Sequence, residues 1–142
     1  MYGWFPGCRR ALAWDCGTGS GQGAVALVAH FTQVIASDPS REQLAHAAAH
    51  ARVRHLVASA EQPPAEAMGA DLVTAAQALH WFDLERFYPA LERVLRPGGL
   101  FIAWGYGLMR ITPQVVWPFF LRLSRYASGR ISDSPEPRSF TI

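Results

Sequence analysis

Ten residues, Trp14-Asp15-Cys16-Gly17-Thr18-Gly19-Ser20-Gly21-Gln22-Gly23, constrain this chain more than any other stretch. An apolar run, Ala11 to Trp14, meets an acidic residue and then glycine at every second position. A helical pattern follows at once in Ala24 to Phe31. Glycine has no Cβ, so such a segment can turn tightly and bring its backbone close to a ligand. A helix start then offers unpaired N–H groups and the positive end of a dipole. The plain alternative is a Gly/Ser linker with no ligand, and the strand–loop–helix context argues against it.

The rest of the chain repeats this alternation. Ala11–Asp15, Val34–Ser37, Val53–Ala58, Asp71–Ala75 and Leu100–Trp104 read as five short apolar strands. Val25, Leu27, Val28 and Phe31 suit a first helix packed on a sheet. Ser40 and Gln43 have capping-box spacing, opening an alanine-rich helix expected to run to about Ala51. One helical turn is expected at Ala65 to Met68. Asp83 can cap a helix to Leu95, with Phe87, Leu91, Val94 and Leu95 on its buried face. Pro89 predicts a kink there, or a separate first turn ending near Tyr88. Arg96-Pro97-Gly98-Gly99 reads as a turn.

Strands alternating with helices imply an α/β fold: an open, Rossmann-like parallel sheet in the order 3-2-1-4-5, with helices on both faces. Residues 1–10 read as an irregular stub, 11–112 as the core, and 113–142 as a divergent, partly disordered tail. Within that tail, Gln114 to Tyr126 suggests helical pieces, and no sixth or seventh strand is visible. One sheet edge would then lie open, which offers a dimer contact.

Composition narrows the partners. The net charge of +2 is too small to suggest nucleic acid. No apolar run reaches the roughly 18–20 residues of a membrane helix, so no membrane is expected. Cys8 and Cys16 stand in a chain without a secretory pattern, which points to a reduced, cytoplasmic setting. Cys16 is expected to pack as a small strand-end side chain rather than act as a nucleophile. His46 and His50 have metal-compatible helical spacing, but nothing completes a site, and no metal is expected.

The glycine loop admits more than one ligand. A P-loop is excluded because the chain has no lysine. Gly19-Ser20-Gly21-Gln22-Gly23-Ala24 meets the relaxed dinucleotide pattern. Asp38, at the end of the second strand, can accept from both hydroxyls of a ribose, whichever nucleoside carries it. Asp15 is buried by context and needs a partner, which a ligand or the loop's own N–H groups could supply. His80-Trp81-Phe82 reads either as core at a strand–helix junction or as a ligand wall.

Asp15 to Gly21 resembles the first motif of the class I S-adenosylmethionine-dependent methyltransferases, an acidic residue two before G-x-G-x-G. Ala60-Glu61, Asp71 to Asp83 and Leu95 to Leu100 resemble later motifs, in the small-molecule branch that includes trans-aconitate methyltransferase-like proteins. The resemblance spans residues 11 to about 113. It implies S-adenosyl-L-methionine as cofactor, held by Asp15, Gly17, Thr18, Gly19 and Gly21, with Asp38 on the ribose and Glu61 at the adenine. Gln77 would lie beside the methyl donor, Trp81 would flank the sulfonium or wall the substrate pocket, and His80 could take a proton. The implied reaction is in-line methyl transfer to a small molecule. Two other readings stand beside it: an NAD(P)-binding Rossmann domain, and a truncated, catalytically incomplete fragment serving only as a binding module. The family also carries a longer N-terminal helical region and two further strands, which this sequence does not show.

Overall fold

The computed structural model describes residues 9–104, 108–112, 115–118, 122–127 and 130–131. Five parallel strands form its centre: β1 (Leu12–Cys16), β2 (Gln33–Asp38), β3 (Val53–Val57), β4 (Ala70–Ala76) and β5 (Leu95–Trp104). Their order is β3-β2-β1-β4-β5, as expected, and each neighbouring pair is parallel. Helices α1 (Gln22–Leu27), α2 (Arg41–Ala45) and α3 (Leu84–Val94) lie in three of the four connections, and the β3–β4 connection holds only a short helical turn at Ala65–Ala67.

The period-2 geometry of strands sorts the core into two faces. Trp14, Cys16, Ile35, Val73, Ala75, Phe101 and Ala103 point to the side where Phe87, Leu91 and Val94 of α3 pack. Ala13, Val34, Ala36, Leu72, Leu100 and Ile102 point to the other, under Ala24 and Leu27 of α1. Trp14 is fully buried, and its Nε1 donates to Ser37 Oγ at 2.9 Å, which satisfies the one polar atom of the indole.

At the amino ends of the strands, Asp71 is 1% exposed. Its Oδ2 accepts from the N–H groups of Ala11 and Leu12 at 2.8 and 2.9 Å. Its Oδ1 is paired with Arg96. One carboxylate therefore ties β1 and β5 to β4.

Several local expectations needed revision. Helix α3 runs unbroken through Pro89. Its Phe87, Ala90, Leu91 and Val94 are buried, whereas Pro89 and Glu85 face solvent. Water can serve the carbonyl that lacks an N–H partner, and the packed stripe holds the helix together. Helix α2 stops at Ala45 because it buries no residue, so alanine propensity alone has to hold it. His46 and His50 therefore do not share a helix, and His50 Nδ1 accepts from Arg52 N–H at 3.1 Å. Residues 96–99 bulge out of β5 rather than ending a separate element, with Gly98 at φ 79.

The tail differs most. β6 (Leu108–Thr112) and β7 (Val115–Pro118) pair antiparallel, so strands stand in a tail where none was expected and β7 falls within the Gln114–Tyr126 stretch expected to be helical in pieces. β8 (Arg122–Ala127) pairs antiparallel with β5, and β9 (Arg130–Ile131) pairs with β8. The β5 edge is thus covered rather than open. An unpaired edge offers a row of N–H and C=O groups to any nearby extended chain. The stub before residue 9 and the segment after 131 lie outside the described residues. Among the described residues no helix is long and apolar enough to cross a membrane.

Candidate functional site: a cavity at the carboxyl ends of the strands

At the end of β1 the chain must leave the sheet and start α1 within a few residues. Gly17, Gly19 and Gly21 take φ values of 68, 56 and 80 to do so. Thr18 N–H donates to Ser37 O at 2.9 Å, and Gly21 N–H to Thr18 O at 2.9 Å, which pins the loop to β2 and to itself.

Asp15 works from beneath the loop. It is 1% exposed, its Oδ2 accepts from the Thr18 hydroxyl at 2.6 Å, and its Oδ1 accepts from the Thr74 hydroxyl at 2.7 Å. Burial pushes its pKa up, and the bonds from Thr18, Thr74 and the Ala24 N–H oppose that rise. A Cβ at Gly23 would come within 3.2 Å of Oδ2, so glycine there lets the first turn of α1 sit on the carboxylate. The partner this buried acid required is the loop itself. Cys16 is buried, donates to Thr74 O at 3.2 Å, and has its pKa pushed well up by burial, so it packs rather than attacks.

A cavity of about 740 Å³ opens above the loop. Gly17, Thr18, Gly19, Asp38, Glu61, Gln77 and Trp81 line it, all expected site residues. Asp38 ends β2 with Oδ2 accepting from Gly19 N–H at 2.9 Å and Oδ1 from Ser40 N–H at 2.8 Å. An ionised carboxylate has about four lone-pair positions, so it can still accept from a ligand. Glu61 has its Oε1 on Asp83 N–H at 2.8 Å. Burial would raise its pKa, but the N–H groups of Asp83 and of Glu61 itself, Ser59 and Arg86 hold it below the ordinary value of 4.5. A lowered acid stabilises the fold above that ordinary value and loses the contribution as pH falls through the folded one. Glu61→Gln should accordingly flatten the acid limb of a stability–pH curve measured by urea unfolding.

Three expected residues lie elsewhere. Asp15 is below the loop, as described. Gly21 caps α1, and a Cβ on it would lie 3.0 Å from His55 Nε2. His80 is exposed on a short helical turn, its ring 4.9 Å from that of Trp81, and it is not in the cavity lining. The lining also includes Gln43, Ser59 and Ala78, which were not expected as site residues, and Phe82, which was offered as core or ligand wall. Phe82 belonged to a cluster already noticed, and Ala78 was hidden because alanine carries no chemical signal. Ala78 is nevertheless decisive: a Cβ on Gly17 would lie 2.6 Å from its Cβ and 3.3 Å from the Phe82 ring. Gly17→Ala therefore combines a left-handed strain of about 1–2 kcal/mol with overpacking of about 1–3 kcal/mol. It should lower the denaturation midpoint and displace the loop. Adding Ala78→Gly should recover part of that loss.

Parallel strands in this order, with a glycine loop after the first and a carboxylate after the second, define a Rossmann-like domain with a nucleoside-type cofactor site. The chain belongs to the methyltransferase domain family, whose profile matches residues 14–103. It is 43% identical over 104 residues to a Dictyostelium discoideum protein described as a methyltransferase, covering 73% of this chain and 40% of that one. A Saccharomyces cerevisiae protein described as an S-adenosylmethionine-dependent methyltransferase is 32% identical over 118 residues, covering 78% of this chain and 39% of that one. Among solved structures, one described as a type II methyltransferase from Anaeromyxobacter dehalogenans superposes with a TM-score of 0.63. It is 48% identical, over 74% of this chain and 45% of the other. The chain thus spans less than half the length of these relatives. S-adenosyl-L-methionine is the cofactor that membership implies. The membership is general: it does not single out the trans-aconitate branch.

Proposed function

We propose that this chain binds S-adenosyl-L-methionine in the cavity above Gly17–Gly19 and serves methyl transfer to a small-molecule acceptor. The carrying observation is Asp38, which lines the cavity while bonded to the loop through Gly19. When bound, the cofactor supplies an electrophilic methyl group on a sulfonium, suited to in-line displacement by a nucleophile.

The chain's own residues would hold and shield it. Asp38 would accept from the ribose hydroxyls. Ser59, Ala60 and Glu61, after β3, would flank the adenine. Gln77 and Trp81, after β4, would stand at the sulfonium end, where an indole face attracts a cation. Asp15 would act only by holding Thr18 and α1 in place. His80 receives no role, because in-line transfer gains much of its rate from positioning and His80 does not line the cavity.

Among the described residues the ionisable side chains of the lining are Asp38 and Glu61, both carboxylates, which would attract a sulfonium and an ammonium, although Asp38 would serve the ribose of either nucleoside.

Association between copies through a sheet edge would use β3 at one side of the sheet or β8 and β9 at the other, not β5; on β3, Arg54 pairs with Glu66 at 3.1 Å. A cytoplasmic setting rests on the sequence pattern alone. Incubation with methyl-tritiated S-adenosylmethionine and a panel of hydroxyl, amine and carboxylate acceptors tests the activity. Label in an acceptor supports the enzyme. Tight cofactor binding with no transfer to any acceptor supports the binding-module reading.

A further inference from the structure

We infer that the N–H of Asp83, a residue outside the cavity lining, is a positioning group: bonded to Glu61, it clasps the two walls of the cavity, so that the base end of the cofactor sets the wall at the methyl end; this rests on the cofactor reading above. The walls come from different connections. Ser59, Ala60 and Glu61 follow β3, whereas Gln77, Ala78, Trp81 and Phe82 follow β4. Among the described residues a single hydrogen bond joins these two segments, from Asp83 N–H to Glu61 Oε1 at 2.8 Å.

The β4 wall needs such a tie. Trp81 is 80% exposed and sits on a short turn, Leu79–Trp81. Asp83, just beyond it, is anchored to the core. Its carbonyl accepts from Phe87 N–H at 2.8 Å, and Phe87 is fully buried. Its carboxylate caps α3 by accepting from Arg86 N–H. Glu61, on the other wall, is spent on holding its own segment and Asp83 together. Besides Asp83, its carboxylate accepts from its own N–H and from the Ser59 hydroxyl, and the Arg86 guanidinium attracts it. A carboxylate has about four lone-pair positions, so most of this one's capacity is used within the chain. Glu61 therefore serves the adenine by fixing Ser59 and Ala60 beside it rather than by reading the base, and the same carboxylate carries that placement across to Asp83.

Hydrogen exchange on the full chain tests the clasp, with saturating adenosine as the probe. Adenosine carries base and ribose and nothing that reaches the methyl end. In the parent it should slow exchange of the amides at 79–82 by roughly 5-fold or more, the usual lower range of coupling between sites. Asp83 has φ -76 and Phe82 before it is extended, so proline fits at 83. Asp83→Pro and Asp83→Ala both lose the capping carboxylate, but only the alanine variant keeps the N–H. The slowing should vanish in Asp83→Pro and in Glu61→Ala. It should persist in Asp83→Ala, and in Glu61→Gln, which retains an oxygen acceptor. Glu61→Ala should leave the preference for adenosine over inosine unchanged. No slowing in the parent, slowing that survives in Asp83→Pro, its loss in Asp83→Ala, or a base preference erased by Glu61→Ala would each overturn the clasp. Failure of adenosine to bind the parent would instead overturn the cofactor reading, and this inference with it.

Discussion

Asp71→Ala is expected to destabilise the fold by about 3–5 kcal/mol, the range for breaking a buried ion pair from one side, and to lower the melting temperature by roughly 10–20 °C. Asp71 is 1% exposed and serves three partners at once: Arg96, Ala11 N–H and Leu12 N–H. Removing the carboxylate leaves two backbone donors and a guanidinium without it. Asp71→Asn keeps the shape and one oxygen, and should lose less. Because Asp71 sits at the amino ends of parallel strands and the cavity at their carboxyl ends, cofactor affinity at low temperature should stay within a few-fold of the parent. Thermal unfolding and S-adenosylhomocysteine calorimetry on the same samples separate the two effects.

Asp38→Ala is expected to do the reverse. In the free protein it removes two partly exposed hydrogen bonds, from Gly19 and Ser40, at about 1 kcal/mol each. In the proposed complex it would also remove the acceptor for the ribose hydroxyls. Hydrogen bonds to a charged group are worth about 1.5–3 kcal/mol, so affinity for S-adenosylhomocysteine should fall roughly 100-fold or more. Loop disturbance and ribose recognition can be told apart with adenosine and its dideoxy analogue. The parent should prefer adenosine, and the preference should vanish in Asp38→Ala. If the preference persists, the ribose lies elsewhere.

The two variants bracket what was legible in the sequence. Residues at the carboxyl ends of strands carry glycines and acids in recognisable spacing, as a site for the proposed cofactor would require. Gly17, Gly19, Asp38, Glu61, Gln77 and Trp81 were readable for that reason, and all line the cavity. Asp71 lay inside a recognised motif, but its task was not legible, since it depends on Arg96, 25 residues away, and on the chain's entry into β1. The same holds for Ala78, whose importance is purely its distance from Gly17. Asp15 was read correctly as a buried acid in need of partners. That those partners are Thr18, Thr74 and Ala24 depends on how β4 and α1 meet β1, which no local pattern records. Helix α2 was overextended because alanine content was weighed without a face to bury. The antiparallel addition of β8 to β5 was missed because Gln114–Tyr126 was read as helical pieces, and an edge that recruits an extended segment leaves no local pattern in that segment.

The decisive measurement is calorimetric titration of the folded chain with S-adenosylhomocysteine and, separately, with NADH. Saturable binding of S-adenosylhomocysteine, weakened roughly 100-fold in Asp38→Ala, is the predicted result. NADH binding by a sample that ignores S-adenosylhomocysteine would contradict the account.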